Sequence, residues 1–350
     1  MEKKELKVHS KGRSHLYDVA ILLKSLDYDI KFVSFWPSFK FRKLGNIKSF
    51  YIPYILVKLL VGEWLFFKLF RLFNRNKENV ILDINLIDCY HPSSNLIIDM
   101  PTNFPNYQDE QWEIEEACTE LRIERRKSTK ERLLDNNLID YIENSKLILV
   151  LNEASKNSIP IKYRTKVCVI PPLEITEIKK SVITQKKLIK NILCIGIICP
   201  SKGYHYMIQG LNRLNRKFNI HLYGKVNDSY VNYLKGISNE DIQLIFYGHV
   251  KQEKLLNLIN QYDIMIFPSV SEGFPLSAIQ VLSKGVPVFA SRNSNLDGLL
   301  PDACIYDTRN INDFVKKFKE FEKKEKLTLN LENADLGSIK QKWKNIKKHL

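Results

Sequence analysis

Three short segments in the second half of the chain carry residue types suited to binding anions and hydroxyls. In the first, Ile195-Gly196-Ile197-Ile198-Cys199-Pro200-Ser201-Lys202-Gly203, an apolar run ends in a glycine, a loop follows, and a helix-like stretch opens at Gly203. The first amides of a helix lack partners within it, and its N-terminus carries a partial positive charge. With Lys202 beside it as a mobile cation, the segment suits a diphosphate. It contains neither common phosphate fingerprint, so taken alone it reads first as an ordinary strand-to-helix loop with a solvated lysine. The second segment runs Phe267-Pro268-Ser269-Val270-Ser271-Glu272-Gly273-Phe274-Pro275-Leu276-Ser277-Ala278-Ile279-Gln280. Again an apolar run ends in a loop of small residues, and Pro275 suits a first helical turn because its missing N–H would have no partner there. The amides from Gly273 to Leu276 suit an anion or sugar-like hydroxyls. The Glu272 carboxylate can accept hydroxyl hydrogens, or simply favour the helix start. Gln280 lies further along the same helix. The third segment, Tyr247-Gly248-His249-Val250, places a glycine just after a strand, where a planar ring can approach the backbone. His249 reads as a surface residue.

Regular elements must hold these loops. Apolar runs at 191–197, 219–223, 242–246, 263–267 and 286–290 alternate with helical patterns at 203–217, 229–235, 251–260 and 275–283. Such alternation predicts βαβ units and a parallel sheet, whose ligands bind at the carboxyl ends of the strands. The first half alternates less regularly. A helix is expected over 13–26, strands over 29–35, 80–87, 96–99 and 147–151, and a long charged helical stretch over 113–141. The tandem prolines Pro171-Pro172 open a polar, lysine-rich stretch that stops regular structure. The expected organisation is therefore a first domain at 1–170, a linker at 171–190, a second domain at 191–335, and a basic helix at 336–350 that packs back on the first domain.

Composition narrows the classes. A chain of 350 residues accommodates two α/β domains, and 44% hydrophobic with 27% charged residues is globular. The net charge of +15 favours anionic partners. The basic residues are spread along the chain and no nucleic-acid module appears, so nucleic acid is not expected as a partner. Six cysteines without a CxxC pair read as reduced core residues, and no zinc site is expected. The first residues lack the apolar stretch of a signal peptide, which points to a cytoplasmic protein. Residues 51–73 are very apolar but include Lys58, Glu63, Lys68 and Arg71. A spanning helix needs roughly 20 mostly apolar residues, so four charges argue against spanning. Two alternatives stand, a core helix or an interfacial helix at the membrane's inner face, the latter helped by basic residues across 40–77.

Taken together and in order, these motifs resemble glycosyltransferase family 4, retaining enzymes of the GT-B class that use nucleotide-sugar donors. The resemblance rests on Gly196 through Lys202-Gly203, on Tyr262-Asp263-Ile264-Met265-Ile266-Phe267-Pro268-Ser269 with Glu272-Gly273-Phe274, and on Lys284 to Ser291. It covers roughly 140–305 well and the first 35 residues loosely. It implies an α/β, GT-B fold: two Rossmann-like domains facing across an interdomain cleft. It also implies transfer of a sugar, most commonly from a UDP-sugar; the basic, apolar first domain adds the expectation of a glycan or lipid-linked acceptor and a role in cell-envelope polysaccharide synthesis. Lys202 would contact the donor diphosphate and Glu272 the transferred sugar. Gly196, Gly273, Phe274, Pro275 and Leu276 would line phosphate and sugar, Val250 the base, and Gln280 the ribose. The loop at Ser10–His15 resembles the family's first loop, making Gly12, Arg13 and His15, with Asp99 and Asn103, candidate contacts from the opposite domain. No cofactor and no metal are expected.

Three departures from the family pattern stand out. Ile197 occupies the place of an arginine, and Gln280 that of a second glutamate. Asp99-Met100-Pro101-Thr102-Asn103 stands where a first-domain histidine is often found. A degenerate domain that binds nucleotide or glycan without catalysis is the competing expectation.

Overall fold

The computed structural model describes residues 5–10, 15–34, 48–51, 79–84, 92–93, 95–100, 138–186, 188–332 and 334–346. They form two compact units, the first comprising the described residues up to Leu173 together with 334–346, the second those from Glu174 to Glu332.

The first unit is built on a parallel sheet. Its elements are β1 (Glu5–Ser10), α1 (His15–Ser25), β2 (Asp29–Ser34), β3 (Lys48–Tyr51), β4 (Val80–Asp83), β5 (Leu96–Asp99), α2 (Leu138–Asn144), β6 (Leu147–Val150), α3 (Glu153–Ser158) and β7 (Val167–Val169). The strand order is β3-β2-β1-β4-β5-β6-β7. Strands of a parallel sheet are covered on both faces and so read as unbroken apolar runs. Leu96-Ile97-Ile98 and Leu147–Val150 are such runs, and every residue in them is buried. β1 was not anticipated. Only Leu6 and Val8 are apolar in it, with Lys7 between them, yet it pairs with β2 on one side and β4 on the other. The strand expected over 80–87 ends at Asp83. Of the long helix expected over 113–141, residues up to 137 lie outside the described residues, and α2 begins at Leu138. The segment 51–73 lies, apart from Tyr51, outside the described residues too. Among the described residues no helix is long and apolar enough to cross a membrane.

The last helix, α9 (Leu336–Ile346), belongs to this unit. Ile339, Trp343 and Ile346 lie on one helical stripe and are buried. The Tyr28 hydroxyl donates to the Trp343 carbonyl at 3.1 Å, fixing the helix against the turn before β2.

The second unit repeats the plan with β9 (Asn191–Ile195), α4 (Tyr204–Asn212), β10 (Phe218–Tyr223), α5 (Asp228–Ile237), β11 (Ile242–Gly248), α6 (Gln252–Leu258), β12 (Ile264–Phe267), α7 (Leu276–Ser283), β13 (Val288–Ser291), β14 (Ile305–Tyr306) and α8 (Ile311–Glu322). The sheet order is β11-β10-β9-β12-β13-β14 and every pairing is parallel. The order reverses between β9 and β12, as it does between β1 and β4 in the first unit. α4 stops at Asn212, short of the expected Lys217, because the chain turns back through Asn215 at φ 51°.

Residues 171–190, expected as a linker, are largely structured. Ile175, Ile178, Ile183 and Ile189 are buried, and β8 (Val182–Thr184) pairs antiparallel with β15 (Lys326–Thr328). Four isoleucines dispersed among lysines are enough to seat the stretch on the second unit, although its composition is polar.

Candidate functional site

The carboxyl ends of β9, β10 and β11 each finish in a glycine with positive φ: Gly196 at 145°, Gly224 at 154° and Gly248 at 66°. The three are joined in a row. Gly196 N–H donates to the Tyr223 carbonyl at 2.9 Å, and Gly224 N–H to the Gly248 carbonyl at 2.8 Å. A Cβ on Gly224 would lie 1.8 Å from the Gly196 carbonyl oxygen, so only glycine allows this approach. Ile198 N–H then donates to Lys225 at 2.8 Å, carrying the contact past the strand ends.

Beyond Cys199 the chain makes one 3-10 turn, Pro200–Lys202, and reverses at Gly203 (φ 64°) before α4 begins at Tyr204. The expected helix start at Gly203 is therefore one residue early. The amides expected there for an anion are also mostly committed. Lys202 N–H goes to Cys199, Gly203 N–H to Pro200, Tyr206 and Met207 N–H to Gly203, and His205 N–H to the Tyr230 hydroxyl. What this segment presents to an anion is the Lys202 ammonium.

Gly203 also joins the two loops. A Cβ there would sit 2.0 Å from the Pro268 carbonyl oxygen, and Val270 N–H donates to the Ser201 carbonyl at 3.0 Å. This brings Lys202 and Glu272, 70 residues apart, into an ion pair at Glu272 Oε1. The Ser269 hydroxyl donates to the same oxygen at 2.7 Å. The loop after β13 supports the carboxylate from behind. Glu272 N–H donates to the Asn293 carbonyl at 3.0 Å, and the Asn293 amide to Val270 at 2.9 Å. The Asn295 amide bonds the carbonyls of Glu272, at 2.5 Å, and Gly273, at 3.2 Å. Gly273 and Pro275 are buried, Phe274 and Leu276 half-buried. Leu276 N–H is drawn to the Phe274 carbonyl, while Ala278 and Ile279 N–H return to Pro275. Gln280 lies half-buried one turn along α7, and half-buried Val250 follows Gly248 and exposed His249. Ile197 is 56% exposed, an apolar side chain beside a charged site.

Asp263 has a structural task. Its carboxylate accepts the N–H of Lys190 at 2.9 Å and of Asn191 at 2.7 Å, and the Lys186 ammonium at 2.7 Å. Burial pushes the carboxyl up, but the Asn191 N–H, Lys186 and the Lys190 N–H outweigh it and hold it below the usual carboxylate value. The acid thereby pins the start of β9 to that of β12, the two strands that carry the site.

In the first unit, His15 Nε2 lies 2.9 Å from Asp99 Oδ1, with side chains 8% and 3% exposed. His15 opens α1 just after β1, and Asp99 ends β5. Gly12, Arg13 and Asn103 lie outside the described residues. Sequence reasoning named Lys202, Glu272, His15 and Asp99 separately but paired none of them. It missed Gly224, Ser269, Asn293 and Asn295, of which the polar run Arg292-Asn293-Ser294-Asn295 after a predicted strand was the one visible signal.

Residues 174–335 match the family model described as glycosyl transferases group 1, and those bounds nearly coincide with the second unit. This unit is thus similar to the group 1 glycosyltransferases. An uncharacterized 41.2 kDa protein in the cps region of Klebsiella pneumoniae is 28% identical over 152 residues, 42% of this chain and 40% of that protein. An uncharacterized glycosyltransferase of Methanocaldococcus jannaschii is 23% identical over 204 residues, 57% of this chain and 56% of that one. The matched stretches thus span about half the length of these curated relatives or less. Among solved structures, HepE of Anabaena in complex with UDP and glucose aligns with a TM-score of 0.60 at 13% identity, covering 99% of this chain and 100% of that one. A sucrose-phosphate synthase of Thermosynechococcus elongatus aligns at 0.62 and 12%, covering 99% and 98%. The fold is GT-B, with two Rossmann-like units. Within the second unit, Lys202 and Glu272 meet at the carboxyl ends of β9 and β12, where the strand order reverses and parallel sheets bind their ligands.

Proposed function

We propose that this protein is a retaining glycosyltransferase that moves a sugar from a UDP-sugar to a glycan or lipid-linked acceptor in cell-envelope polysaccharide synthesis. The observation that carries the reading is the convergence of Lys202 and Ser269 on Glu272 at the switch point of the second unit. HepE was solved with UDP and glucose, and the Klebsiella relative lies in a cps region, which supports the donor and the pathway class. In this mechanism the Lys202 ammonium neutralises charge that builds on the departing diphosphate. A cation already in place costs no reorganisation in the transition state. Glu272 accepts hydroxyls of the transferred sugar, and the paired asparagine amides hold its loop still. The basic stretch at 40–77 would bring the enzyme to an anionic membrane face, an assignment that flotation with phosphatidylglycerol vesicles tests.

A thermal-shift screen against UDP, GDP, ADP and their sugar conjugates, with and without EDTA, tests the donor site. A ligand at 100 times its Kd stabilises by about 2.7 kcal/mol. The expected result is a shift with UDP, insensitive to EDTA and lost in Lys202→Ala, with turnover also lost in Glu272→Ala. Full turnover in both variants would refute the site. Exposed Ile197 and uncharged Gln280 favour a second reading, a nucleotide- or glycan-binding partner without catalysis; retained nucleotide binding with no transfer or hydrolysis would establish it.

A further inference from the structure

Lys202 is the one charged residue of the 196–203 loop, and Ile197, 56% exposed, adds no charge. A diphosphate held there by one ammonium leaves oxygens without a donor. Tyr204, the residue after Gly203, opens α4 and is only 2% exposed. Its hydroxyl reaches back to the carboxyl end of β9. A Cβ built on Gly196 would lie 3.4 Å from the Tyr204 hydroxyl and 3.8 Å from Lys202 Cε. The bare Cα of Gly196 thus faces room for one methyl-sized group, bounded by the phenol and the lysine stem. Other buried tyrosines of this unit have partners. The Tyr230 hydroxyl accepts the His205 N–H at 3.2 Å and meets His205 Nδ1 at 2.7 Å, and Tyr223 bonds Tyr262 at 2.5 Å. The Tyr306 hydroxyl lacks one, but that ring lies in the core against Phe289 and Phe314. The Tyr204 hydroxyl has no hydrogen-bond partner among the described residues. A phenylalanine would fill the ring's place without an unpaired hydroxyl, so the hydroxyl calls for a reason outside the packing.

Burial is the first cause that pushes this phenol well above the ordinary tyrosine value, and Cys194, Cys199, Tyr230 and Glu272 add to it. The group therefore keeps its proton and can donate. A neutral phenol can also be carried in an apolar wall, where an unpaired cation cannot. We propose that Tyr204 is a diphosphate-binding residue, its O–H donating to a phosphate oxygen that lies over Gly196 beside the Lys202 stem. This rests on the glycosyltransferase reading above and deepens it within the second unit alone. Charge grows on the phosphate oxygens as the diphosphate departs, and the hydrogen bond strengthens with it; no proton leaves the phenol. A donor fixed by a buried ring needs no reorganisation to meet that charge. The site then offers a diphosphate two side-chain donors and only one positive charge.

Tyr204→Phe keeps the ring and removes only the hydroxyl. The full-length wild type and this variant are compared by calorimetric melting and by titration with UDP and with inorganic diphosphate. A hydrogen bond to a charged group is worth about tenfold to a hundredfold in affinity. Both ligands should bind the variant about tenfold or more weakly, by similar factors, while its melting midpoint holds or rises because no partner is left behind. UDP affinity within about threefold of wild type would overturn the assignment. So would a loss confined to UDP, which would put the hydroxyl on the nucleoside. A midpoint lowered by several degrees alongside weaker binding would make the hydroxyl structural and overturn it too. A wild type that binds none of UDP, GDP and ADP would refute the glycosyltransferase reading instead. Inorganic diphosphate would then still decide Tyr204: weaker binding by the variant would uphold it as an anion donor, and equal binding, or none by either protein, would overturn it.

Discussion

Replacing Gly203 by alanine tests whether the two site loops are one mechanical unit. Gly203 sits at φ 64°, and an added Cβ would meet the Pro268 carbonyl oxygen at 2.0 Å and its carbon at 3.0 Å. Both are backbone atoms, so no side chain can swing away, and the loops must part. Left-handed backbone costs an L-residue roughly 1–2 kcal/mol. Forcing the atom into a packed site costs about 1–3 kcal/mol. Separation also removes the bond from Val270 N–H to Ser201, about 0.5–1.5 kcal/mol. The sum is roughly 3–6 kcal/mol. For a unit of this size each kcal/mol moves the midpoint by about 2–4 °C, so a fall of about 6 °C or more is expected by calorimetry. Because the Lys202–Glu272 pair spans the joint, the UDP-induced shift should weaken as well. Gly236→Ala is the control: it lies near the end of α5 with nothing within 4 Å of its Cβ, and should be neutral or stabilise by up to about 1 kcal/mol. A Gly203→Ala midpoint within 2 °C of wild type, with an unchanged UDP shift, would refute the reasoning.

Other parts of the molecule respond in their own ways. Burial, with Lys7 nearby, lowers His9 to about 3, and burial, with Arg309 nearby, lowers His205 to about 4. The unfolded chain therefore takes up protons first as pH falls below about 6.5, and each residue should remove about 1.4 kcal/mol of stability per pH unit from there down to its folded value. Urea midpoints that stay flat between pH 7 and 5 would contradict this. For Asp263 the folded value lies below the unfolded one. Its contribution is complete above about pH 4 and lost as pH falls through the folded value. Asp263→Asn should therefore cost about 1–3 kcal/mol at pH 7, and the gap to wild type should narrow below pH 4. Trp343→Ala should cost the first unit about 3–5 kcal/mol, read as an earlier urea transition. An unshifted transition there would mean that α9 contributes little to that unit.

The second unit was largely legible because its strands are short apolar runs separated by amphipathic helices, and a parallel sheet buried on both faces writes itself into sequence in that form. The loops at 196–203 and 267–276 were legible too, since a glycine after a strand and a proline at a helix start are local requirements. β1 was not, because Leu6 and Val8 alone are a weak signal and its place at the centre of the sheet comes from pairing with β2 and β4. The stretch at 174–190 looked like a linker because lysines outnumber its isoleucines, while burial of four isoleucines decided its fate. Above all, what each site residue touches was beyond the sequence. Glu272 reads equally as a helix-start carboxylate until Gly203 and Pro268 pack backbone on backbone and put Lys202 on it. His15 and Asp99 meet only because β1, β4 and β5 lie side by side, a consequence of strand order. Local propensity is set by neighbours in sequence and can be read from it. The meeting of residues 70 or 84 positions apart is set by which strands share an edge, and that only the folded sheet decides.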